Sequence, residues 1–233
     1  MRAYNTKNFL KILISLHKSD TLKVLFPTIV LVGIYSYAVY YFEVEFLHLT
    51  SKSSVSNIGM IHSLLGFVLS LLLVFRTNTA YDRWWEGRKQ WGELLVQVRS
   101  LCRELSDLDD EAKNRIFVPL IAYVHALSAR LRDEDEIAAA RQSGITVSAA
   151  PNVCDAILRQ IGAELLALNK AGELSDWRYS SVAIRMNAIA NVQAACERIK
   201  TTPLPFAYTL LIHRTVYLFC VLLPFALAPQ LDW

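Results

Sequence analysis

Three stretches of this chain carry no Asp, Glu, Lys or Arg for long enough to cross a bilayer, and nothing else in the sequence limits its folds so severely. Residues 24–42 read "VLFPTIVLVGIYSYAVYYF", residues 53–75 end in "LLGFVLSLLLVF", and residues 215–231 read "TVYLFCVLLPFALAPQL". A membrane-crossing helix needs about 20 mostly apolar residues, within a range of about 17–25. The first stretch meets this outright and the second meets it with a polar start. The third is short unless "PFAYTLLIH" ahead of Arg214 adds to it. One such stretch is compatible with a buried core helix. Three in 233 residues, with hydrophobic residues at 54% and charged ones at 19%, predict membrane insertion. A cleaved signal peptide accounts less well for the first, because the apolar part of such signals runs only about 7–15 residues.

Basic residues near the spans set the orientation. Residues 1–23 hold Arg2, Lys7, Lys11, Lys18 and Lys23 against Asp20 alone. The segment from Glu43 to about Asn57 has Lys52 against Glu43 and Glu45, and after the second span come Arg76, Arg83, Arg88 and Lys89. Both basic ends are therefore expected in the cytoplasm, with spans of about 24–42 and 57–75 forming a hairpin in the region 24–75. The net charge of +3 reflects this bias and gives no reason to expect nucleic acid.

Residues 76–200 hold equal numbers of acidic and basic side chains and are expected to form a helical cytosolic domain. Trp84, Trp91, Leu95, Val98, Cys102 and Leu105 recur at helical spacing and predict one amphipathic stripe continuing from the second span. Further helices are expected from about Glu111, with Pro119 kinking it or marking its first turn, from an Asn152 N-cap to Gly172, and from Ser175 to about Ile199. "RQSGITVSAAP" (141–151) reads as a loop, and residues 201–233 as a linker, "TTPLP", followed by the third span. No alternating strand pattern appears, so the fold class is an all-α membrane protein.

Catalysis has little to stand on. No GxSxG, P-loop or GxGxxG motif is present, and the five histidines show no metal-ligand spacing. The four cysteines form no CxxC pair, and disulfides are not expected in the cytosol. The acid runs "DDE" (109–111) and "DEDE" (133–136) read as exposed helix-end charges rather than acid–base pairs or divalent-ion sites. No enzyme activity, cofactor or metal is expected.

"LLGFVLSLLLVFRTNTAYDRWWEGRKQWG" (64–92), "AGELSDWRY" (171–179) and "CERIKTTPLPFAYTLLIHRTVYLFCVLLPFAL" (196–227) resemble three blocks of the bacterial bestrophins, in the family's order. That resemblance implies a homopentameric ion channel with helical protomers around one axial pore, in the bacterial inner membrane with a cytoplasmic N-terminus. Its partners would be further copies of itself, membrane lipid and monovalent ions. It implies two constrictions: a neck at Phe67, Leu71 and Phe75, and a cytosolic aperture at Trp177, where other bacterial members carry an aliphatic residue. Helical geometry agrees with the first. Positions four apart drift only about 40° per step, and three of them cover about 12 Å. Five copies would form an apolar tube without fixed charge, able to gate by dewetting. Gly66 suits close helix approach beside it.

The remaining membrane-edge residues follow from depth. Arg76 is expected to snorkel to the headgroups, with Trp84 and Trp85 at the interface or in the first packed turn below it. Arg214 in mid-membrane would cost about 2.5–3.5 kcal/mol on insertion scales, so the third span is expected to start near Thr215 and leave Arg214 at the cytoplasmic edge. The family usually has a fourth span and then an acidic segment, which in animal members helps form a calcium clasp; this chain stops at "APQLDW". Cation passage is expected from the resemblance to bacterial members. An anion channel, as in animal members, a membrane-anchored scaffold that does not conduct, and a membrane enzyme stay open as alternatives.

Overall fold

In the computed structural model, which describes residues 20–42, 56–145 and 150–227, the described parts of the charge-free stretches are helical. The helices are α1 (Asp20–Phe42), α2 (Ser56–Glu104), α3 (Asp110–Arg132), α4 (Glu136–Arg141), α5 (Val153–Lys170), α6 (Asp176–Thr201) and α7 (Phe206–Leu227). No strand occurs among the described residues, and the fold is all-α. Segments within Lys23–Phe42, Ile58–Glu104 and Asp176–Leu227 are long and apolar enough to cross a membrane. Most of the basic segment 1–23, the outer loop and the chain end "APQLDW" lie outside the described residues.

The chain divides into two units, one comprising residues up to Arg76 with those from Pro205 on, the other Thr77–Leu204. In the first, α1, the start of α2 and α7 are joined by a few specific contacts. Tyr35 donates its hydroxyl to the Val221 carbonyl at 3.2 Å, and Tyr208 donates to the Leu72 carbonyl at 2.9 Å. The His62 ring stacks on Phe219 with centroids 4.1 Å apart. Most other apolar side chains here face outward, Phe26, Ile34, Leu64 and Leu218 among them. Such a surface is unstable in water and natural in hydrocarbon, where a helix satisfies its own backbone groups. Three hydroxyls in the spans bond to the helix's own backbone: Ser63 donates to the Gly59 carbonyl, Ser70 to Phe67 and Thr215 to Leu211.

The helix that carries the third span is longer than the span itself was expected to be. It begins at Phe206, not near Thr215, because the Pro205 carbonyl opens it by accepting from the Tyr208 and Thr209 N–H groups. Arg214 therefore lies in the body of α7. With Tyr208 beside Leu72 and Phe219 beside His62 and Gly66, α7 runs antiparallel to α2, and Arg214 falls alongside the stretch from Gly66 to Leu72. At about 1.5 Å per residue that is roughly 6–15 Å along α2 from Arg76.

The second unit is a helical body with an apolar core of its own. Leu101, Leu105, Ile116, Tyr123, Leu127, Ile157, Ile161, Leu165, Val182 and Ile189 form its core and are fully or almost fully buried. Its helix ends follow from capping chemistry. Asp109 accepts from the Ala112 N–H, Asp135 from Ile137 and Ala138, Asn152 from Asp155, and Ser175 from Arg178. Gly172 stops α5 at φ +80°, and the chain folds back through Glu173 N–H on the Leu168 carbonyl. The acid runs thus serve as helix ends, with Asp133 in the left-handed conformation closing α3.

Two local expectations are sharpened. Of the two placements expected for Pro119, the first turn is excluded: it is buried in the interior of α3, ten residues in, and the helix continues across it. On α2 the core-facing residues are Leu94, Gln97, Leu101 and then Leu105, whereas Leu95, Cys102 and Trp84 are exposed. The buried stripe is rotated by one residue because it includes polar Gln97 and Ser100, which an apolar count passes over.

Candidate pore-lining site

The candidate neck residues lie on one face of α2. Phe67, Leu71 and Phe75 are 61%, 43% and 59% exposed within the chain. His62 and Gly66 mark the opposite face, since both meet Phe219 of α7. Taking about 100° per residue, Leu71 lies about 160° around the helix from that contact. The apolar stripe is thus turned away from α7. No ionisable side chain stands within it.

Gly66 makes the other side of α2 possible. A Cβ built there would lie 3.1 Å from Phe219 Cε2, so the ring occupies the space that a larger residue would need. The flanking interface residues differ among themselves. Arg76 is half-buried and ends the first of the two segments that make up its unit. Trp84 and Trp85 are exposed, at ring distances of 5.7 Å for Tyr81–Trp84 and 6.1 Å for Trp84–Trp85. Arg214 is exposed on α7, on a surface it shares with Leu211, Leu218 and Val221.

Trp177 is 83% exposed and is the second residue of α6. Its backbone is held from three directions. Ser175 caps the helix. Asn169 donates from Nδ2 to the Asp176 carboxylate at 2.9 Å and to the Leu174 carbonyl at 3.0 Å. Arg178 reaches the turn after α2: Nη1 donates to Asp107 Oδ2 at 2.5 Å, and Nη2 donates to Asp107 Oδ1 and to the Glu104 carbonyl. These bonds from Arg178 hold the Asp107 carboxyl well below its usual range, at about 2.

The Arg178 fork is one end of a longer seam between α2 and α6. Glu104 accepts from Ser181 Oγ at 3.0 Å and from Arg185 Nε at 3.0 Å, and Gln97 accepts from Arg185 Nη1 at 3.4 Å. Farther back, Glu86 accepts from Arg198 Nη2 at 2.8 Å, and Arg83 donates to the carbonyls of Ile199 and Thr202. Partners recede along α6 as they advance along α2, an antiparallel register carried by long side chains. Sequence reasoning missed Arg178, Asp107 and Glu104. Their partners are more than seventy positions away, and no spacing rule links them.

Elsewhere in this unit a second group of charges is paired internally. A cavity of about 520 Å³ is lined by Arg130, Asp133, Glu134, Glu136, Glu197 and Lys200. Arg130 bonds Glu136 at 2.7 Å and Glu197 at 2.8 Å, and Lys200 bonds Asp133. Among the described residues no group of His, Cys, Asp or Glu is arranged to hold a metal ion.

A family model described as the bacterial/fungal bestrophin protein matches residues 1–233. A voltage-dependent anion channel-forming protein of Mesorhizobium japonicum is 42% identical over 176 residues, which cover 73% of this chain and 57% of that protein. The YneE protein of Escherichia coli K12, which bears the same description, is 39% identical over 207 residues, covering 86% of this chain and 67% of that protein. The chain thus spans between 57% and 67% of the length of these two relatives. A crystal structure of a bacterial bestrophin homologue from Klebsiella pneumoniae aligns with a TM-score of 0.74 at 36% identity, covering 87% of this chain and 76% of that one.

Proposed function

Because the chain belongs to the bacterial/fungal bestrophin family, we propose that it assembles as a homopentamer in the bacterial inner membrane, N-terminus in the cytoplasm, and passes small monovalent ions. Phe67, Leu71 and Phe75 of five copies line an apolar neck, and five copies of Trp177 line a second constriction in the cytosolic unit. Residues 76–200 form that unit, and residues 24–75 and 201–233 supply the spans.

One observation carries this reading: the apolar stripe on α2 is exposed on the face remote from α7. A stripe that met only lipid would need no particular register. Self-association draws further support from exposed Trp84, Trp85, Leu95, Val96 and Ile184 in the unit that is otherwise water-soluble, since large apolar patches mark interaction surfaces.

Cation passage is the first reading of selectivity, following the likeness to bacterial members. The apolar neck has no fixed charge and discriminates by hydration and size, not by sign. Anion passage is the second reading, favoured by the description of the relatives as anion channel-forming. Arg214, alongside the apolar length of α2, adds a positive charge to that side of the account.

The test is reconstitution in liposomes with ion flux and oligomer mass measured together, then reversal potentials in asymmetric NaCl. Cysteines at 67, 71 and 75 should react with water-borne thiol reagents and lose flux on modification. A silent monomer, or neck cysteines reached only by lipid-soluble reagents, overturns the channel reading. A reversal potential at the chloride equilibrium value selects the anion reading.

A further inference from the structure

We propose that Arg178 is the positioning residue of the cytosolic constriction: its fork onto Asp107 and Glu104 fixes the first turn of α6 and so sets how far the Trp177 ring projects. The inference rests on the reading above that Trp177 constricts the pore.

The argument is geometric. Trp177 is too exposed to be located by packing within its own chain. Its position therefore comes from the backbone of α6, and the adjacent residue anchors that backbone. A guanidinium that meets both carboxylate oxygens and a main-chain carbonyl is fixed in distance and in orientation. The bond to the Glu104 carbonyl also occupies an acceptor that the last turn of a helix leaves without an intrahelical partner. Glu104 in turn holds Ser181 and Arg185, one and two turns farther along α6. Arginine at this position therefore ties the end of α2 to the start of α6 through one side chain. An error of about 1 Å in such a support is enough to spoil a functional site, and in a fivefold ring every copy repeats it.

Single-channel recording of the full chain in planar bilayers tests this as a double-mutant cycle. Arg178→Gln and Asp107→Asn are each expected to change unitary conductance by at least roughly twofold, the lower end of coupling between contacting residues. In a Trp177→Ala background the same changes should leave conductance at the Trp177→Ala value. Exchanging the partners, Asp107→Arg with Arg178→Asp, should bring conductance back toward that of the unaltered protein. Arg178→Lys keeps the charge without the fork and carries the same comparison where Arg178→Gln fails to assemble.

Equal effects of Arg178→Gln with and without the indole would overturn the proposal, since Arg178 would then act as a fixed charge or through the fold at large. So would an unchanged conductance in Arg178→Gln pentamers. If Trp177→Ala itself leaves the current unchanged, the constriction reading fails first, and that result is separate from any obtained at Arg178.

Discussion

The Tyr208 hydroxyl donates to the Leu72 carbonyl at 2.9 Å, tying the first turn of α7 to the part of α2 that lies between Leu71 and Phe75. The bond is a polar link between these two helices and ties their register. Polar pairs inside membranes contribute about 0.6 kcal/mol on average. Tyr208→Phe, which removes only the donor, should destabilise the protein by about that amount. Unfolding in mixed micelles with increasing dodecyl sulfate reads it out, and an unchanged midpoint contradicts it.

Gly66 predicts a steeper response on the same interface. An alanine Cβ at 3.1 Å from the Phe219 ring requires the ring to move by a few tenths of an ångström. Gly66→Ala should therefore be tolerated with a small loss, and Gly66→Val should separate α2 from α7 because its extra methyls have nowhere to go. Pairing Gly66→Val with Phe219→Ala should recover part of the loss. Cross-linking yield between cysteines placed on the two helices measures the separation, and no recovery in the pair would place the strain elsewhere.

These contacts also mark what was legible beforehand. The spans were readable because a charge-free run of sufficient length has few alternatives, and the capping residues Asn152 and Ser175 with the stop at Gly172 were readable because their chemistry is local. The core face of α2 was not, since Gln97 and Ser100 are buried there and break the apolar count. The start of α7 was missed for a different reason. The cost of placing Arg214 in the apolar layer argued for a late start of the span, whereas α6 ends at Thr201 just ahead of Pro203, and the Pro205 carbonyl opens a new helix at Phe206. The Arg178 fork, which joins segments distant in sequence, needed the folded chain.

Gly172 yields a prediction confined to the unit Thr77–Leu204. At φ +80° an L-residue meets its own carbonyl, at a cost of about 1–2 kcal/mol. Gly172→Ala should lose that amount in chemical denaturation followed by circular dichroism, and Gly172→Asn should lose less. Because this stop immediately precedes α6, equal stability of Gly172→Ala and the unaltered protein would mean that the α5–α6 turn is not held as described.

The Asp107–Arg178 pair predicts a pH response with a definite sign. The carboxyl titrates at about 2 against an ordinary 3.8, so the folded state favours the ionised form. Its stabilising contribution is present above the ordinary value and is lost as pH falls through about 2. Denaturation midpoints compared at steps from pH 5 to pH 2 should fall less steeply in Asp107→Asn than in the unaltered protein. Identical slopes would show the pair to be broken in solution.

Cysteine chemistry gives the opposite sign at high pH. Cys154 is buried in the core, and loss of solvent pushes its thiol from 9.0 up to about 12; burial raises Cys196 as well. Cys102 is exposed on α2. A soluble maleimide at pH 8 should label Cys102 in the folded protein and reach Cys154 and Cys196 only after denaturation, because the reactive thiolate is scarce in both and access is closed. The unfolded chain releases these thiol protons near 9, before the folded chain does. The stabilisation is therefore complete below about 9 and is lost as pH rises toward about 12. A Cys154→Ala, Cys196→Ala double variant should remove that part of the alkaline slope. Rapid labelling of Cys154 in the folded protein would instead mean that α5 and α6 open readily, and the support beneath Trp177 would open with them.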